Sequence, residues 1–398
     1  MSFEAKLKTD PIKSSPAQLP ELLFPFLDLK AQFATIKNDI THAISRVMDS
    51  QHFILGKEVE AFEKDVAEVV GVREAVSCAS GSDALLLALM ALEVEPGDEV
   101  ITTPFTFVAT GGSVARLGAK PVFADIEPDT FNLDPSQIDC AITSRTRAII
   151  PVHLFGLTAN IDPILEVAKV RGISVIEDAA QALGARYKGK SAGSMSRIGC
   201  FSFFPSKNLG GAGDGGLMTT DDIAIADRLR TLRGHGAKKK YYSELMGMNS
   251  RLDSLQAAIL RVKLPYLSRW VSGRRNKAEK YKLLIEEFGL QQHITIPYAP
   301  GECFHAYNQF TIRVPKRDQV RDFLRARGIP TETYYPYPLH LQPAFAYLGY
   351  RQGAFPVAEA ACDEVLSLPV YPELDEQNQV AVVRAIADFF GTARAKKL

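Results

Sequence analysis

Residues 201–216 read FSFFPSKNLGGAGDGG, with Lys207 between an apolar aromatic run and a series of glycines. Most lysines are solvated surface groups. This one follows a run that a strand would aim inward, and a desolvated lysine loses its proton more readily and attacks aldehydes. Upstream, ISVIEDAAQALGA puts Asp178 at the end of another apolar run, with Gln181 three residues on. That carboxylate either caps the next helix or meets a ligand. ASGSDALLLAL places Gly81, Ser82 and Asp83 where a strand turns into a helix, and free N–H groups there, with the helix dipole, suit a phosphate. A plain N-cap accounts for the same letters, and both readings can hold together. TPFTFVAT offers Phe107 as a flat apolar face or as an ordinary core residue, and Ser202 adds a hydroxyl to the strand that precedes Lys207.

Together these residues suit pyridoxal 5′-phosphate (PLP). Asp178 would keep the pyridine nitrogen protonated and make the ring an electron sink. Gln181 would hydrogen-bond the 3′ oxygen, and Phe107 would lie against the ring. Gly81, Ser82 and Ser202 would take the phosphate. Lys207 would condense with the aldehyde, while the glycines after it let backbone crowd close to the ligand.

The elements around these residues predict an α/β fold. Residues 1 to about 25 are polar and carry Pro and Ser, as a loose arm would. Phe33, Ile36, Ile40, Ile44 and Val47 then recur at helical spacing, and Val59, Phe62 and Val66 mark a second helix. Short apolar runs next alternate with helices: EAVSCAS, EVITTPFTF, KPVFADI, RAIIPVHLFG, ISVIED, CFSFF and GLMTT. Such alternation implies a mostly parallel sheet sandwiched by helices, with ligands beyond the C-terminal strand ends. A long helical tract from Asn249 is bent or broken near Pro265. The expected division is an arm at 1–25, a large PLP-binding domain at 26–269 and a smaller C-terminal α/β domain at 270–398.

Bulk properties exclude several classes. Lys+Arg and Asp+Glu both count 46 among 398 residues, so no net field draws the chain to nucleic acid or an anionic membrane. The five cysteines are scattered and form no CxxC pair, and the seven histidines include no HExxH, so neither a disulfide framework nor a metal site is indicated. No apolar leader or stretch of about 18 apolar residues occurs. A reducing cytoplasm is expected.

Two motif matches fail on physical grounds. GARYKGKS, residues 184–191, fits the nucleotide P-loop pattern but leads into AGSMSRIG rather than a helix, so a hairpin with exposed Lys188 and Lys190 is expected. Gly211, Gly213 and Gly216 fit GxGxxG but precede GLMTT, which reads as a strand and not the helix a dinucleotide needs.

The ordered set FILGKEVEAFE, GSDALLLAL, TPFTFVAT, PVHLFG, IEDAAQALGA, FSFFPSKNLGGAGDGG, NSRLDSLQAAIL and LSLPVYPEL resembles the DegT/DnrJ-type sugar aminotransferases, over roughly residues 25–390. These are PLP enzymes of the aspartate aminotransferase fold, fold type I. The resemblance implies that Lys207 carries the Schiff base, Asp178 the pyridinium contact and Gln181 the 3′-oxygen contact. It also implies Phe107 stacked on the ring, and phosphate contacts from Gly81, Ser82 and Ser202. Asn249 would reach the phosphate of the other subunit's cofactor in an obligate homodimer with shared active sites. Arg251 and the Tyr334–Tyr335 pair match substrate-side positions contributed by the neighbouring chain.

Departures are few. Ser80-Gly81-Ser82 replaces the Asn-Gly-Thr of many relatives and keeps a hydroxyl, and Tyr334 stands where some members acting on acylated sugars have His. NSRLDSLQAAIL is similar to the branch that aminates C3 of a keto sugar more than to the C4 branch. The implied reaction moves an amino group from an amino acid, L-glutamate, to a nucleotide-linked keto sugar for polysaccharide, lipopolysaccharide or glycoside biosynthesis. The alternatives are a PLP-dependent sugar dehydratase, whose members replace the lysine with histidine, and a non-catalytic regulatory protein on the same fold. His153 and His235 either support a site residue from behind or pack as plain rings.

Overall fold

Seven apolar runs pair into one sheet: β1 (Glu74–Cys78), β2 (Glu99–Thr102), β3 (Lys120–Phe123), β4 (Thr146–Ile150), β5 (Ser174–Asp178), β6 (Ile198–Ser202) and β7 (Gly216–Thr220). The computed structural model describes residues 21–392, so most of the expected N-terminal arm, residues 1–20, lies outside the described residues. The strand order is β1-β7-β6-β5-β4-β2-β3. The pairs from β6 through β3 are parallel, whereas β7 runs antiparallel to both its neighbours. The strands are almost continuously buried instead of alternating, because helices cover both faces.

Alternate residues show where each face packs. Val76, Cys78, Val100, Ala148, Ile150 and Ile176 meet helix α3 (Gly81–Ala91), which is apolar all round and buried. Their neighbours Ile101, Ile149 and Val175 pack on the other face with α5 (Ile161–Arg171), while Val114 of α4 (Val108–Arg116) shares the core of α3. Toward the β1 side, Ala75 and Phe201 join α1 (Leu29–Ser50) and α2 (Lys57–Val70).

The expected bend at Pro265 is a 3-10 turn, Leu264–Tyr266, after α7 (Ser254–Lys263), with α6 (Ile223–Leu232) earlier in the chain. Helix α8 (Leu267–Glu287) then passes from one core to another. Leu267, Trp270 and Val271 pack with the first, and Ala278, Tyr281, Leu284 and Ile285 with the second. The second core is built on the antiparallel pair β8 (Phe310–Arg313) and β9 (Val365–Leu368), with α9 (Arg317–Arg325) and α11 (Glu376–Phe390). Phe24, from the end of the expected arm, is buried in it, and Leu23 N donates to Gly328 O at 2.9 Å. Part of the C-terminal third returns to the large sheet: Leu339, Phe345 and Phe355 share a core with Phe105, Phe123 and Phe155, alongside α10 (Pro356–Glu364).

The hairpin expected for GARYKGKS is present, with Arg186–Tyr187 paired to Lys190–Ser191 and both lysines exposed. Gly216 opens β7, as the rejection of a dinucleotide fingerprint required.

The C-terminal end of β5 is held by Glu177. Its carboxylate accepts from Gly193 N at 2.7 Å, Met195 N and Ser196 N at 2.8 Å, and the His153 ring at 2.9 Å. Burial alone would push its pKa up, but His153 and the backbone N–H groups outweigh burial and hold it below the ordinary 4.5. The folded value lies below the unfolded one, so this stabilisation is complete above pH 4.5 and disappears as pH falls through the folded value. Glu177→Gln should lose about 1–3 kcal/mol at neutral pH, read by urea unfolding. Its stability should also fall less steeply below pH 4.5 than that of the parent.

Candidate active site

Where β1, β2, β4, β5 and β6 end, their loops enclose a cavity of about 450 Å³. Lys207, Asp178, Gln181, Gly81, Ser82, Phe107 and Ser202, the residues assigned to cofactor binding within one chain, all line it. Asp178 is the last residue of β5 and is 5% exposed. Its Oδ2 accepts from Thr110 Oγ1 at 2.8 Å and its Oδ1 from Ala180 N at 3.2 Å. Burial pushes the carboxyl up, and Thr110, Ala180 N–H and Lys207 act against that rise.

Lys207 follows β6 by a tight turn in which its own N–H donates to Phe204 O at 2.9 Å. It keeps some exposed surface at the cavity wall, yet desolvation lowers its amine to about 8, against the opposing pull of the Asp178 charge. Among the described residues the amine has no ion pair, so Lys207 and Asp178 share the cavity without neutralising one another directly.

Gln181 has a set orientation. Phe155 N donates to its Oε1 at 2.7 Å, and its Nε2 donates to Tyr335 OH at 3.0 Å, so the amide offers its donor to the cavity side. Phe107 is 54% exposed and presents its ring to the cavity. At the other end, Ser80 caps α3 by accepting from Asp83 N at 3.1 Å. The Gly81 and Ser82 N–H groups have no protein acceptor among the described residues and lie at the positive end of the helix. A methyl on Gly81 would stand 2.6 Å from Ser202 Cβ, so glycine is required for this turn to meet the end of β6.

Several expectations need correction. The glycines after Lys207 do not crowd the ligand space: Gly210 lies against the Pro205 backbone, Gly211 and Gly213 against Gln256, and Gly216 against Ser80 O. They let the loop fold on the protein itself and so fix the lysine from behind. Tyr334 and Tyr335 were expected to serve the neighbouring chain's site. Both line their own chain's cavity, where the Gln181 bond and the Phe107 ring, 6.2 Å from Tyr335 between centroids, hold Tyr335.

Asn249 and Arg251 lie outside this cavity. Asn249 is exposed and bridged through its backbone to Gly234, and Arg251 has a buried Nε without a partner. His153 is a packed ring, bonded to Glu177 and accepting from Ala159 N at 3.0 Å, and His235 is exposed with φ 64°. Thr106, Thr110, Ser206, Asp214 and Gln309 also line the cavity and escaped sequence reading. Only the threonines carried a signal, four residues apart beside Phe107 at a strand end.

A phosphate turn, a buried carboxylate, an exposed ring face and a desolvated lysine converging on one cavity define a PLP site, and the residues present fit that cofactor. The sequence profile of the DegT/DnrJ/EryC1/StrS aminotransferase family matches residues 34–387, and the chain belongs to this family of PLP-dependent aminotransferases. It is 50% identical to a pleiotropic regulatory protein of Geobacillus stearothermophilus, over 92% of this chain and 98% of that protein. It is 46% identical to UDP-N-acetyl-3-dehydro-alpha-D-glucosamine 3-aminotransferase of Acidithiobacillus ferrooxidans, over 91% of this chain and 96% of that protein. The crystal structure of S. venezuelae DesV in complex with a ketimine intermediate superposes with a TM-score of 0.90 at 42% identity, covering 95% of this chain and all of that one.

In cofactor-free protein the amine of Lys207 should titrate near pH 8. Its labelling rate by acetic anhydride, followed by mass spectrometry, should rise about tenfold per pH unit below that value and level above it. A midpoint at the ordinary lysine value of 10.5 would place the amine in open water.

Proposed function

We propose that this protein moves an amino group from L-glutamate to C3 of a nucleotide-linked keto sugar. The observation that carries the reading is the pairing of Lys207 with Asp178 across one cavity, in a chain closely similar to a 3-aminotransferase acting on a UDP-linked 3-dehydro sugar. PLP, when bound, supplies an electron sink for the pair left at the donor's Cα when its proton departs. Asp178, buried and bonded on both oxygens, would keep that sink effective by pairing with the ring nitrogen. Lys207, as a free amine at the cavity wall, would be the base that takes the donor's Cα proton. Its lowered affinity for protons suits that exchange near neutral pH. Phe107 and Gln181 would hold the cofactor ring, and the Gly81–Ser82 turn at the start of α3 would take its phosphate.

The same reading makes the working unit a cytoplasmic homodimer, in which Asn249 reaches the phosphate of the partner's cofactor and Arg251 the partner's substrate. An apolar groove lined by Phe33, Ile36, Ile40 and Pro205 runs beside the loop of Lys207 and supports association there. No helix among the described residues is long and apolar enough to cross a membrane. A purely regulatory role, prompted by the printed name of the Geobacillus relative, is disfavoured because Lys207, Asp178 and Gln181 are all in place.

Purified protein with PLP should absorb near the visible edge and bleach on adding L-glutamate. The bleached form, given a panel of UDP- and dTDP-linked 3-keto and 4-keto sugars, should recover its colour with a 3-keto sugar and release a product whose nitrogen lies on C3 by NMR. Lys207→Ala should lose both band and turnover. PLP uptake without bleaching would favour the regulatory reading, and amination at C4 alone would overturn the C3 assignment.

A further inference from the structure

Thr106 and Thr110 are 3% and 1% exposed, unusually dry for hydroxyl side chains that border a cavity. Their hydroxyls stand 3.1 Å apart, and that of Thr110 is 2.8 Å from Asp178 Oδ2. An ionised carboxylate only accepts hydrogen bonds, so Thr110 must donate to Asp178. Thr110 then accepts from Thr106, whose proton points the same way, and the two dipoles add toward the carboxylate. The Ala180 N–H grips the other oxygen. The carboxylate plane is thereby set by α4 on one side and by the turn after β5 on the other.

We propose that Thr110, oriented by Thr106, is a positioning residue that keeps the Asp178 carboxylate charged and aimed at the cofactor's ring nitrogen. This rests on the aminotransferase reading and explains how a buried acid stays useful there. The charged or titratable groups around Asp178 are Lys207 after β6, Tyr335 on the facing wall, Cys200 on β6, His153 after β4 and Glu177 on its own strand. Lys207 is committed to the cofactor, Tyr335 is bonded to Gln181 and His153 is bonded to Glu177. The hydroxyl pair is therefore the one dedicated side-chain support for Asp178 among the described residues.

The test compares Thr110→Val, which keeps the shape and removes the donor, with Thr110→Ser, which keeps the donor, in the PLP-loaded protein. Without the Thr110 donor, Asp178 holds its own proton more tightly and the ring nitrogen loses its positive charge. The nitrogen that joins Lys207 to the cofactor then keeps its proton to higher pH. The midpoint of the pH-dependent absorbance change should move up by about half a unit or more in Thr110→Val. PLP affinity of the cofactor-free variant should fall, and the glutamate half-reaction should slow by about 10- to 100-fold.

Thr110→Ser should restore the midpoint and come within about threefold of the parent rate. Thr106→Val, which leaves Thr110 in place, should move the midpoint in the same direction by less, and it carries the test should Thr110→Val not fold. An unmoved midpoint in the valine variants would overturn the proposal, as would a Thr110→Ser variant as impaired as Thr110→Val. A parent protein that fails to bleach with glutamate would instead defeat the aminotransferase reading, whatever the threonine variants show.

Discussion

The site depends on keeping a lysine amine and a carboxylate in one desolvated cavity without letting them collapse into an ion pair. Burial lowers the proton affinity of Lys207 and raises that of Asp178, so each drifts toward neutrality. Such a drift helps the lysine, which must be a free amine, and harms the aspartate, which must be an anion. The fold resolves the conflict unequally. Asp178 receives two hydrogen bonds, from Thr110 and Ala180, whereas the amine of Lys207 is left without an ionic partner among the described residues.

That inequality follows from the sheet. Parallel strands end on one side, so β5 and β6, which pair directly at Asp178 and Cys200, deliver acid and lysine to adjacent loops. The acid sits at the strand terminus, where the Ala180 N–H, beyond the last ladder bond of Ala179 to Cys200 O, is free to bond it. The lysine lies farther along, on a turn braced from behind by Gly210 against Pro205 and by Gly216 against Ser80. Those glycines serve the protein's own close packing, which is why their run reads so conspicuously and yet says little about the ligand. Glu177, one residue before the acid, faces the other way and clamps β5 to the loop at 193–196.

Much of this was legible in the chain. Each strand that frames the cavity reads as its own short apolar run, and Asp178, Lys207 and Gly81 lie where such runs end. The hydroxyls of Thr106 and Thr110 were visible as letters, but their meeting with Asp178 depends on β2 and β5 being close in space although far apart in the chain. Gln309 and Asp214 gave no local signal, because tertiary packing alone brings them to the wall. The placement of Tyr334 and Tyr335 has the same origin: a loop between the two cores can reach either its own cavity or a neighbour's, and packing brings it to its own. The expected boundary at residue 270 falls inside α8, a helix shared by both cores, where periodicity stays unbroken.

A second lysine makes the central claim sharply testable. Lys263 is also desolvated and lowered to about 8, but its amine is bonded to Gly210 O and borders the apolar groove rather than the cavity. Borohydride reduction of the PLP-loaded protein, followed by digestion and peptide mass mapping, locates the lysine that bonds the cofactor. The expected result is one pyridoxyl group on the peptide bearing Lys207 and none on that bearing Lys263. A label on Lys263, or none anywhere despite bound PLP, would contradict the account.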